Sequence, residues 1–330
     1  MIRIFCCIFA NENDIKVMAK PFLKWAGGKT QLIDKIDDVL CNMIGNNERF
    51  IYVEPFLGGG SVLLHVLDNY SNCEMAIVND LNKELVNLYR VIASDMLYSD
   101  FKLRLRIEQL RYNNAEDKQN YYNNIRSLYN NWMLSYDGLS LSVDGAVWFL
   151  FLNKCCFNGL YRVSKKSGFN VPWGQKEYLK LYDEDNLDRC HILLNERVVF
   201  MTGDYKITRA AIDMSNITKT KAVYYIDPPN KPVTKTQAFT SYTVDEFDDK
   251  DQKQLKCFCD EINNNNCVFI MSSSCVDDYV DNLYNEYTVT TVKAKRNINS
   301  NGDKRGEVDE ALIFNYKIED YEQSKEIPLF

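Results

Sequence analysis

The sequence predicts an α/β fold in which a mostly parallel sheet is built from two segments with a helical insert between them. Three β-rich apolar runs each end in an acidic residue, at Glu54, Asp80 and Asp227. The carboxyl ends of parallel strands share one edge of the sheet, and open α/β proteins bind their ligands at that edge. We therefore expect these carboxylates to form part of a functional site.

The run over residues 222–226 stops at Asp227, which is followed by Pro228 and Pro229. Proline has no N–H and holds φ near −65°, so the strand ends there and fixes the carboxylate at the sheet edge. Taken alone, this segment is explained equally well as a turn without chemistry. The other two strand ends favour a functional site.

A glycine-rich loop follows Glu54 and contains Phe56, Gly58 and Gly60 before an apolar helical pattern begins. Glycines let the backbone approach a ligand closely, and a helix N-terminus follows. Asp80 ends the next strand about 25 residues later, a spacing typical of an acid that bonds ribose hydroxyls. A lone glycine loop is a weak signal, but the loop, Asp80 and Asp-Pro-Pro in this order are a strong one.

The composition is that of an ordinary soluble protein, with 330 residues, 46% apolar and 26% charged. There is no run of 18 or more apolar residues, so we expect no membrane span. Eleven cysteines without a CxxC pair, and two histidines, argue against a metal site. The odd count and irregular spacing indicate free thiols in a reducing, intracellular compartment.

The net charge of −7 argues against indiscriminate nucleic-acid binding, but the charge is uneven. Residues 153–176 contain five basic residues and no acid, and residues 293–306 contain five basic residues and one acid. Such loops in an acidic protein are either solvated loops or a face that contacts phosphates. We favour the second interpretation because of the neighbouring motifs.

The remaining pattern divides the chain into an extension, a two-part α/β unit and an insert. Residues 1–19 form the extension, in which residues 1–10 are apolar but too short to span a bilayer and lack a convincing cleavage site, so we expect no secretory signal. Met18 is a second candidate start. Helices are predicted over residues 29–43, 101–136, 147–156 and 251–262. Further strands are predicted over residues 197–201, 267–272, 287–294 and 310–316.

Residues 21–29 and 157–174, together with Asp-Pro-Pro, resemble the Dam-type group of DNA adenine-N6 methyltransferases, the alpha group of the D12 class. The resemblance implies a Rossmann-like, S-adenosylmethionine-dependent methyltransferase sheet with a helical target-recognition insert. It implies a catalytic domain of residues 20–95 and 191–330 and a recognition domain of residues 96–190. The implied cofactor-binding residues are Trp25, Lys29, Glu54, Phe56, Gly58, Gly60, Asp80 and Asp227.

Residues 157–174, called the recognition run below, are similar to the family's target-recognition hairpin, Asn-Gly-Leu-x-Arg followed by Gly-x-Phe-Asn-Val-Pro. By this resemblance Arg162 reads a guanine and Pro172 contacts a thymine methyl group of GATC in double-stranded DNA. The loop over residues 296–302 is similar to a phosphate-gripping element. The implied DNA contacts are Lys24, Asn158, Leu160, Arg162, Lys165, Lys166, Pro172, Arg296 and Asn301.

The resemblance also implies a mechanism. The adenine is flipped out of the duplex at a cost of about a few kcal/mol, and Asp227 and the Pro228 carbonyl accept its amino hydrogens. The catalytic motif is Asp227, Pro228, Pro229 and Asn230, where the family has an aromatic residue at the last position. That ring stacks on the flipped base, and the candidates to replace it are Tyr225, Phe239 and Tyr242.

Three functions therefore stay open. The first is an active, site-specific adenine methyltransferase, paired in some systems with a restriction endonuclease. The second is a catalytically impaired or inactive homologue that binds GATC without modifying it, because Asn230 lacks the stacking ring. A metabolic Rossmann oxidoreductase is a distant third, since it needs neither the basic insert nor Asp-Pro-Pro.

Overall fold

The computed structural model describes residues 18–44, 48–164, 166–214, 220–229, 247–273, 278–295 and 307–316. The helices are α1 (Ile33–Ile44), α2 (Ser61–Asn69), α3 (Lys83–Ala93), α4 (Asp95–Asn114), α5 (Lys118–Ser135), α6 (Val143–Cys155), α7 (Glu184–Leu194), α8 (Ile207–Met214), α9 (Asp249–Asn264) and α10 (Asp278–Leu283). The strands are β1 (Phe50–Glu54), β2 (Cys73–Asp80), β3 (Val163–Ser164), β4 (Gly168–Phe169), β5 (Val198–Thr202), β6 (Lys221–Ile226), β7 (Val268–Ser273), β8 (Thr288–Lys295) and β9 (Glu307–Phe314).

A seven-stranded sheet carries the fold, in the order β5-β2-β1-β6-β7-β9-β8. The strands from β5 to β7 pair in parallel, whereas β9 runs antiparallel to both of its neighbours. The predicted mostly parallel α/β sheet is confirmed. Chain order runs outward from the β1–β6 pair, through β2 to β5 on one side and to β7 on the other, so this pair is a topological switch point, where open sheets form their binding crevice.

Two hydrophobic layers cover the sheet because successive side chains of each strand point to opposite faces. Tyr52 and Tyr225 belong to one core cluster, together with α1 to α7. Val53 and Tyr224 belong to the other, with α9 packed against them. Strand β1 is buried along its whole length, as expected for a central parallel strand.

The insert between the two sheet segments is helical, as the sequence predicts. The long pattern over residues 101–136 is two helices rather than one, because Asp117 caps α5 by accepting a hydrogen bond from the Asn120 N–H at 2.9 Å. Helix α6 is a buried core helix, as predicted. Helices α7 and α8 were not predicted from the sequence.

Candidate active site

The three strand-end acids lie along the carboxyl edge of the sheet, and we call Glu54, Asp80 and Asp227 the acidic edge. Glu54 is the last residue of β1, Asp80 is the last residue of β2, and Asp227 follows β6 directly. Strand β1 lies between β2 and β6. The prediction that the three acids share one edge is therefore confirmed.

Asp227 forms an ion pair with Lys29 that links the start of the chain to the end of β6. The Lys29 Nζ donates hydrogen bonds to Asp227 Oδ1 at 2.7 Å and to the Gly27 carbonyl at 2.9 Å. Burial lowers the pKa of Lys29, but the charges of Asp227 and Glu310 outweigh it and the pKa lies above the usual value. Lys29 is therefore a cation at neutral pH, in contact with the carboxylate of the Asp-Pro-Pro motif.

A second donor reaches Asp227 from strand β7. The Ser272 Oγ donates to Asp227 Oδ1 at 3.0 Å, and the Tyr225 hydroxyl lies 3.0 Å from the same Oγ. Tyr225 is only 1% exposed, so its ring is not available to stack on a base. Of the other stacking candidates, Phe239 and Tyr242 lie outside the described residues, as does Asn230 itself.

The glycine-rich loop after β1 adopts backbone conformations that require glycine at two positions. Gly58 and Gly60 have φ values of 49° and 64°. A Cβ at Gly60 would lie 2.5 Å from the Tyr89 hydroxyl, and one at Gly58 would lie 3.0 Å from Trp25 Cδ1. The loop is thus packed against Trp25 and Tyr89, which leave little room for a side chain at either glycine.

Asp80 is oriented by this loop. Its Oδ2 accepts a hydrogen bond from the Gly58 N–H at 2.9 Å, and its Oδ1 accepts one from the Asn82 N–H at 2.9 Å. Burial raises the pKa of Asp80, although these backbone hydrogen bonds oppose the shift. The carboxylate keeps lone pairs for further donors such as hydroxyl groups.

Glu54 is a buried acid, 2% exposed, whose Oε2 accepts a hydrogen bond from the Tyr52 hydroxyl at 2.8 Å. Burial raises its pKa well above the usual value, the Tyr52 hydrogen bond opposes this, and the Asp227 and Asp80 charges add to it. A positively charged ligand beside this buried carboxyl would stabilise its ionised form. This chemistry fits the sulfonium and ammonium groups of S-adenosylmethionine.

An aromatic surface adjoins the loop and was only partly predicted. Phe56 is half-buried, and its ring centroid lies 5.1 Å from that of Tyr205, which follows β5. Tyr205 was not predicted, because its sequence surroundings show no motif.

Asn79 was also not predicted from the sequence. Its Nδ2 donates to the carbonyls of Pro55 and Gly203, at 3.1 and 2.9 Å, and so joins the loops after β1 and β5.

The recognition run folds as a short hairpin of β3 and β4, in which Val163 pairs with Phe169. The Arg162 Nε donates to Asn170 Oδ1 at 2.6 Å, which orients the guanidinium. The remaining predicted DNA contacts in this run are Asn158, Lys166 and Pro172, which are exposed, Leu160, which is half-buried, and Lys165, which lies outside the described residues.

Asn153 joins the recognition run to the stretch before α1. Its Oδ1 accepts from the Lys24 N–H at 2.8 Å, and its Nδ2 donates to the Lys24 carbonyl at 2.7 Å. The Lys24 side chain is exposed beside the run. The next residue, Trp25, packs against Tyr161 with ring centroids 5.5 Å apart, so one stretch touches both the glycine-rich loop and the recognition run.

Two further residues, one at the start of the recognition run and one just before it, were not predicted to contribute to the site. Phe157 is 50% exposed next to Asn158. Burial, with the nearby charge of Lys24, lowers the pKa of Lys154 to about 8. Of the predicted phosphate contacts in the second basic loop, Arg296 and Asn301 both lie outside the described residues.

A model of the D12 class of N6 adenine-specific DNA methyltransferases matches residues 25–298. This chain belongs to that class. It is a DNA adenine-N6 methyltransferase that uses S-adenosylmethionine, which supplies the methyl group when bound. The oxidoreductase alternative is thereby removed.

Relatives of known name agree with this membership. The chain is 37% identical over 300 residues to the type II methyltransferase M.MjaIII of Methanocaldococcus jannaschii, covering 90% of this chain and 99% of that protein. It is 30% identical over 299 residues to the DNA adenine methylase of Haemophilus influenzae, covering 90% and 94%. It is 28% identical over 279 residues to the type II methyltransferase M.CviBI of Paramecium bursaria Chlorella virus NC1A, covering 84% and 90%.

Two features are absent from the described residues. None of the helices within the described ranges is both long enough and apolar enough to cross a membrane. In the same part of the chain, no three His, Cys, Asp or Glu side chains are grouped so that they could hold a metal ion.

Proposed function

We propose that this methyltransferase modifies the adenine of GATC in double-stranded DNA, after flipping that base out of the duplex. The observation that carries the proposal is the recognition run, whose hairpin presents Arg162 with its guanidinium oriented by Asn170. Nε donates to Asn170 Oδ1 and Nη2 donates to the Asn170 carbonyl at 3.4 Å, so the remaining N–H groups of the two Nη atoms would pair with O6 and N7 of a guanine. Pro172 is exposed in the same run and would contact the thymine methyl group.

Phosphate contacts would come from the basic residues around the run. Lys24 and Lys166 are exposed there, and Asn158 is exposed at its start. Lys165, Arg296 and Asn301 complete the proposed DNA-binding set on sequence grounds. This assignment makes residues 96–190 the recognition domain, residues 20–95 with 191–330 the catalytic domain, and residues 1–19 an extension.

The cofactor would lie against the loop after β1. We assign Gly58 and Gly60 to the backbone surface, Asp80 to the ribose hydroxyls and Glu54 to the positively charged methionine part. Trp25 and Phe56 would supply apolar contacts beside them, since Trp25 packs on Gly58 and Phe56 packs on Tyr205. We assign Lys29 to the same site because its Nζ donates a hydrogen bond to Asp227.

In the reaction, Asp227 would accept a hydrogen bond from one N–H of the adenine amino group. The Pro228 carbonyl would accept a hydrogen bond from the other N–H. An exocyclic amine is a poor nucleophile because its lone pair is delocalised into the ring. Acceptors placed on its hydrogens favour a pyramidal nitrogen, so orientation and electrostatics supply the rate without a covalent intermediate. Pro229 and Asn230 complete the motif.

A second candidate function follows from Asn230, where a stacking ring is absent from the motif. The chain would then bind GATC with little or no methylation. Base–aromatic stacking contributes about 1–3 kcal/mol, which corresponds to about 5- to 150-fold in productive binding of the base. Because the substrate is DNA, we place the protein inside a cell, with a cognate restriction endonuclease as a proposed partner. The type II names of relatives are consistent with that partner.

The test is methyl transfer from labelled S-adenosylmethionine to matched duplexes with and without one GATC. Transfer to the GATC duplex alone supports the proposal. Transfer to both duplexes contradicts the specificity. Specific binding of the GATC duplex without transfer supports the second candidate. Enhanced fluorescence of 2-aminopurine at the target position tests base flipping separately.

A further inference from the structure

We propose that Ser272, supported by Tyr225, is a positioning residue that fixes the Asp227 carboxylate for methyl transfer. The inference rests on the proposed function of Asp227 as acceptor for the adenine amino group. Ser272 lies in β7, beside β6 in the sheet, and its side chain is buried. No motif in the sequence pointed to it.

Both donors to Asp227 use the same oxygen. Lys29 Nζ and Ser272 Oγ lie 2.7 and 3.0 Å from Oδ1. The second oxygen, Oδ2, accepts from no donor among the described residues. The Asp227 side chain is 24% exposed, so a base can reach it. The geometry therefore assigns Oδ2 as the atom that accepts the amino hydrogen.

Tyr225 determines where the Ser272 proton points. A serine hydroxyl has one proton, and the Ser272 proton is donated to Asp227, so the Tyr225 hydroxyl must be the donor in its 3.0 Å contact with Ser272 Oγ. Burial, followed by the charge of Asp227, raises the pKa of Tyr225 well above its usual value. The phenol keeps its proton, and the chain of donors runs from Tyr225 through Ser272 to Asp227.

Two tethers from different elements restrict the carboxylate more than one would. Lys29 lies before α1 on a long, flexible side chain, and it alone would hold Oδ1 as a point charge. Ser272 has a short side chain on a buried strand, so its hydrogen bond adds a fixed direction. Hydrogen bonds in series also polarise one another, which strengthens the contact with the charged acceptor.

The first test is Ser272→Ala, measured by single-turnover methylation of a GATC duplex. We expect the transfer rate to fall about 10- to 100-fold, the range for losing a hydrogen bond to a charged group. The KM for DNA, the Kd for S-adenosylmethionine and the 2-aminopurine flipping signal should stay near their original values. Ser272→Thr keeps the hydroxyl and should recover most of the rate.

Tyr225→Phe provides a second test that adds no atoms to the core. Since it removes only the donor to Ser272, the rate should fall by less, about 2- to 10-fold. Tyr224→Phe is the matched control, because Tyr224 is an equally buried tyrosine of the same strand that packs on the other face of the sheet. Its rate should be unchanged, and thermal midpoints should be compared for all variants.

Three outcomes would overturn the inference. If Asp227→Ala is inactive but Ser272→Ala and Tyr225→Phe transfer at the original rate, Ser272 does not position Asp227, and the proposed function stands. If Ser272→Ala loses DNA or cofactor affinity in proportion to rate, its role is structural. If Asp227→Ala keeps full activity, the proposed function of Asp227 fails together with the inference.

Discussion

The acidic edge and the recognition run are held in place by different kinds of contact. Glu54 and Asp227 stand at the ends of β1 and β6, which are buried and paired on both sides by backbone hydrogen bonds. In the recognition run, β3 and β4 have two residues each. Helix side chains instead bond to its backbone, as the Tyr122 hydroxyl does to the Val171 carbonyl at 2.7 Å.

Under the proposed function, the sheet edge carries the chemistry and the recognition run carries the sequence specificity. A rigid sheet edge fixes atoms to the accuracy that transfer of a methyl group requires. The hairpin is held by side chains of α5, such as Asn130, which hydrogen-bonds to both the N–H and the carbonyl of Phe169. Such a hairpin can vary with the insert while the sheet stays the same. We therefore expect substitutions at the edge to change the rate, and substitutions in the run to change the choice of sequence.

The largest effect should come from Asp227→Ala. We expect methyl transfer to fall by about three orders of magnitude or more, because the amino hydrogen loses its acceptor, whereas duplex affinity should change little. Single-turnover assays and binding titrations on one GATC duplex check both statements. Asp185→Ala, at an exposed acid of α7, is the control, and Asp227→Asn guards against unfolding caused by leaving Lys29 unpaired. Full activity of Asp227→Ala would remove this residue from the mechanism.

At the recognition run, Arg162→Ala should relax discrimination at one guanine by about 1–3 kcal/mol, or about 5- to 150-fold. The loss should be confined to one base pair, because a bidentate contact reads a single guanine. Competition among duplexes that differ by single substitutions in GATC measures it. The matched control is Arg106→Ala, at an exposed arginine of α4, which removes the same positive charge outside the recognition run. Equal weakening of cognate and altered duplexes would contradict the assignment.

Asn230→Tyr tests the motif that begins at Asp227 of the acidic edge. If a missing stack limits the reaction, methylation of GATC should rise by about one to two orders of magnitude, with cofactor affinity unchanged. A level or lower rate would mean that another aromatic residue already stacks on the base. No methylation in either protein, with cofactor binding also absent, would favour a DNA-binding homologue without activity.

Glu54→Gln should have opposite effects on stability and on binding. The folded-state pKa of Glu54 is raised by burial, so ionisation favours the unfolded chain once the pH rises above its unfolded pKa of about 4.3. The variant should therefore be more stable than the original protein at neutral pH, by about 1 kcal/mol, with the gain shrinking toward pH 4. It should also bind S-adenosylmethionine more weakly. Denaturant titrations across pH 4–8 and calorimetry check the two effects, and a pH-independent gain would contradict the cause.

Local patterns allowed the strand ends to be predicted but not the contacts between them. Glu54 and Asp80 each end an apolar run beside a glycine loop or a helix start, and Pro228 marks the end of β6. Because the carboxyl ends of parallel strands meet at one edge, these signals predicted that the three strand ends lie together. The Lys29 contact with Asp227 spans 198 residues and the Ser272 contact spans 45. No local sequence pattern encodes such pairings, because they arise only when α1, β6 and β7 are packed together.

The smallest effect should come from Lys166→Ala, and it separates the two kinds of DNA contact that we propose for the recognition run. Lys166 is exposed in the turn between β3 and β4, and we propose that it contacts a phosphate and does not read a base. Its loss should weaken binding to all duplexes by a similar, small factor of about 2 to 5, and should reduce the slope of log K against log salt by about 0.9. Arg162→Ala should instead leave most of that slope in place while it alters sequence preference. Titrations of both variants at several salt concentrations, on GATC and scrambled duplexes, measure these quantities together. An unchanged salt slope for Lys166→Ala would place this lysine away from the phosphates, and the basic turn would then be a solvated loop.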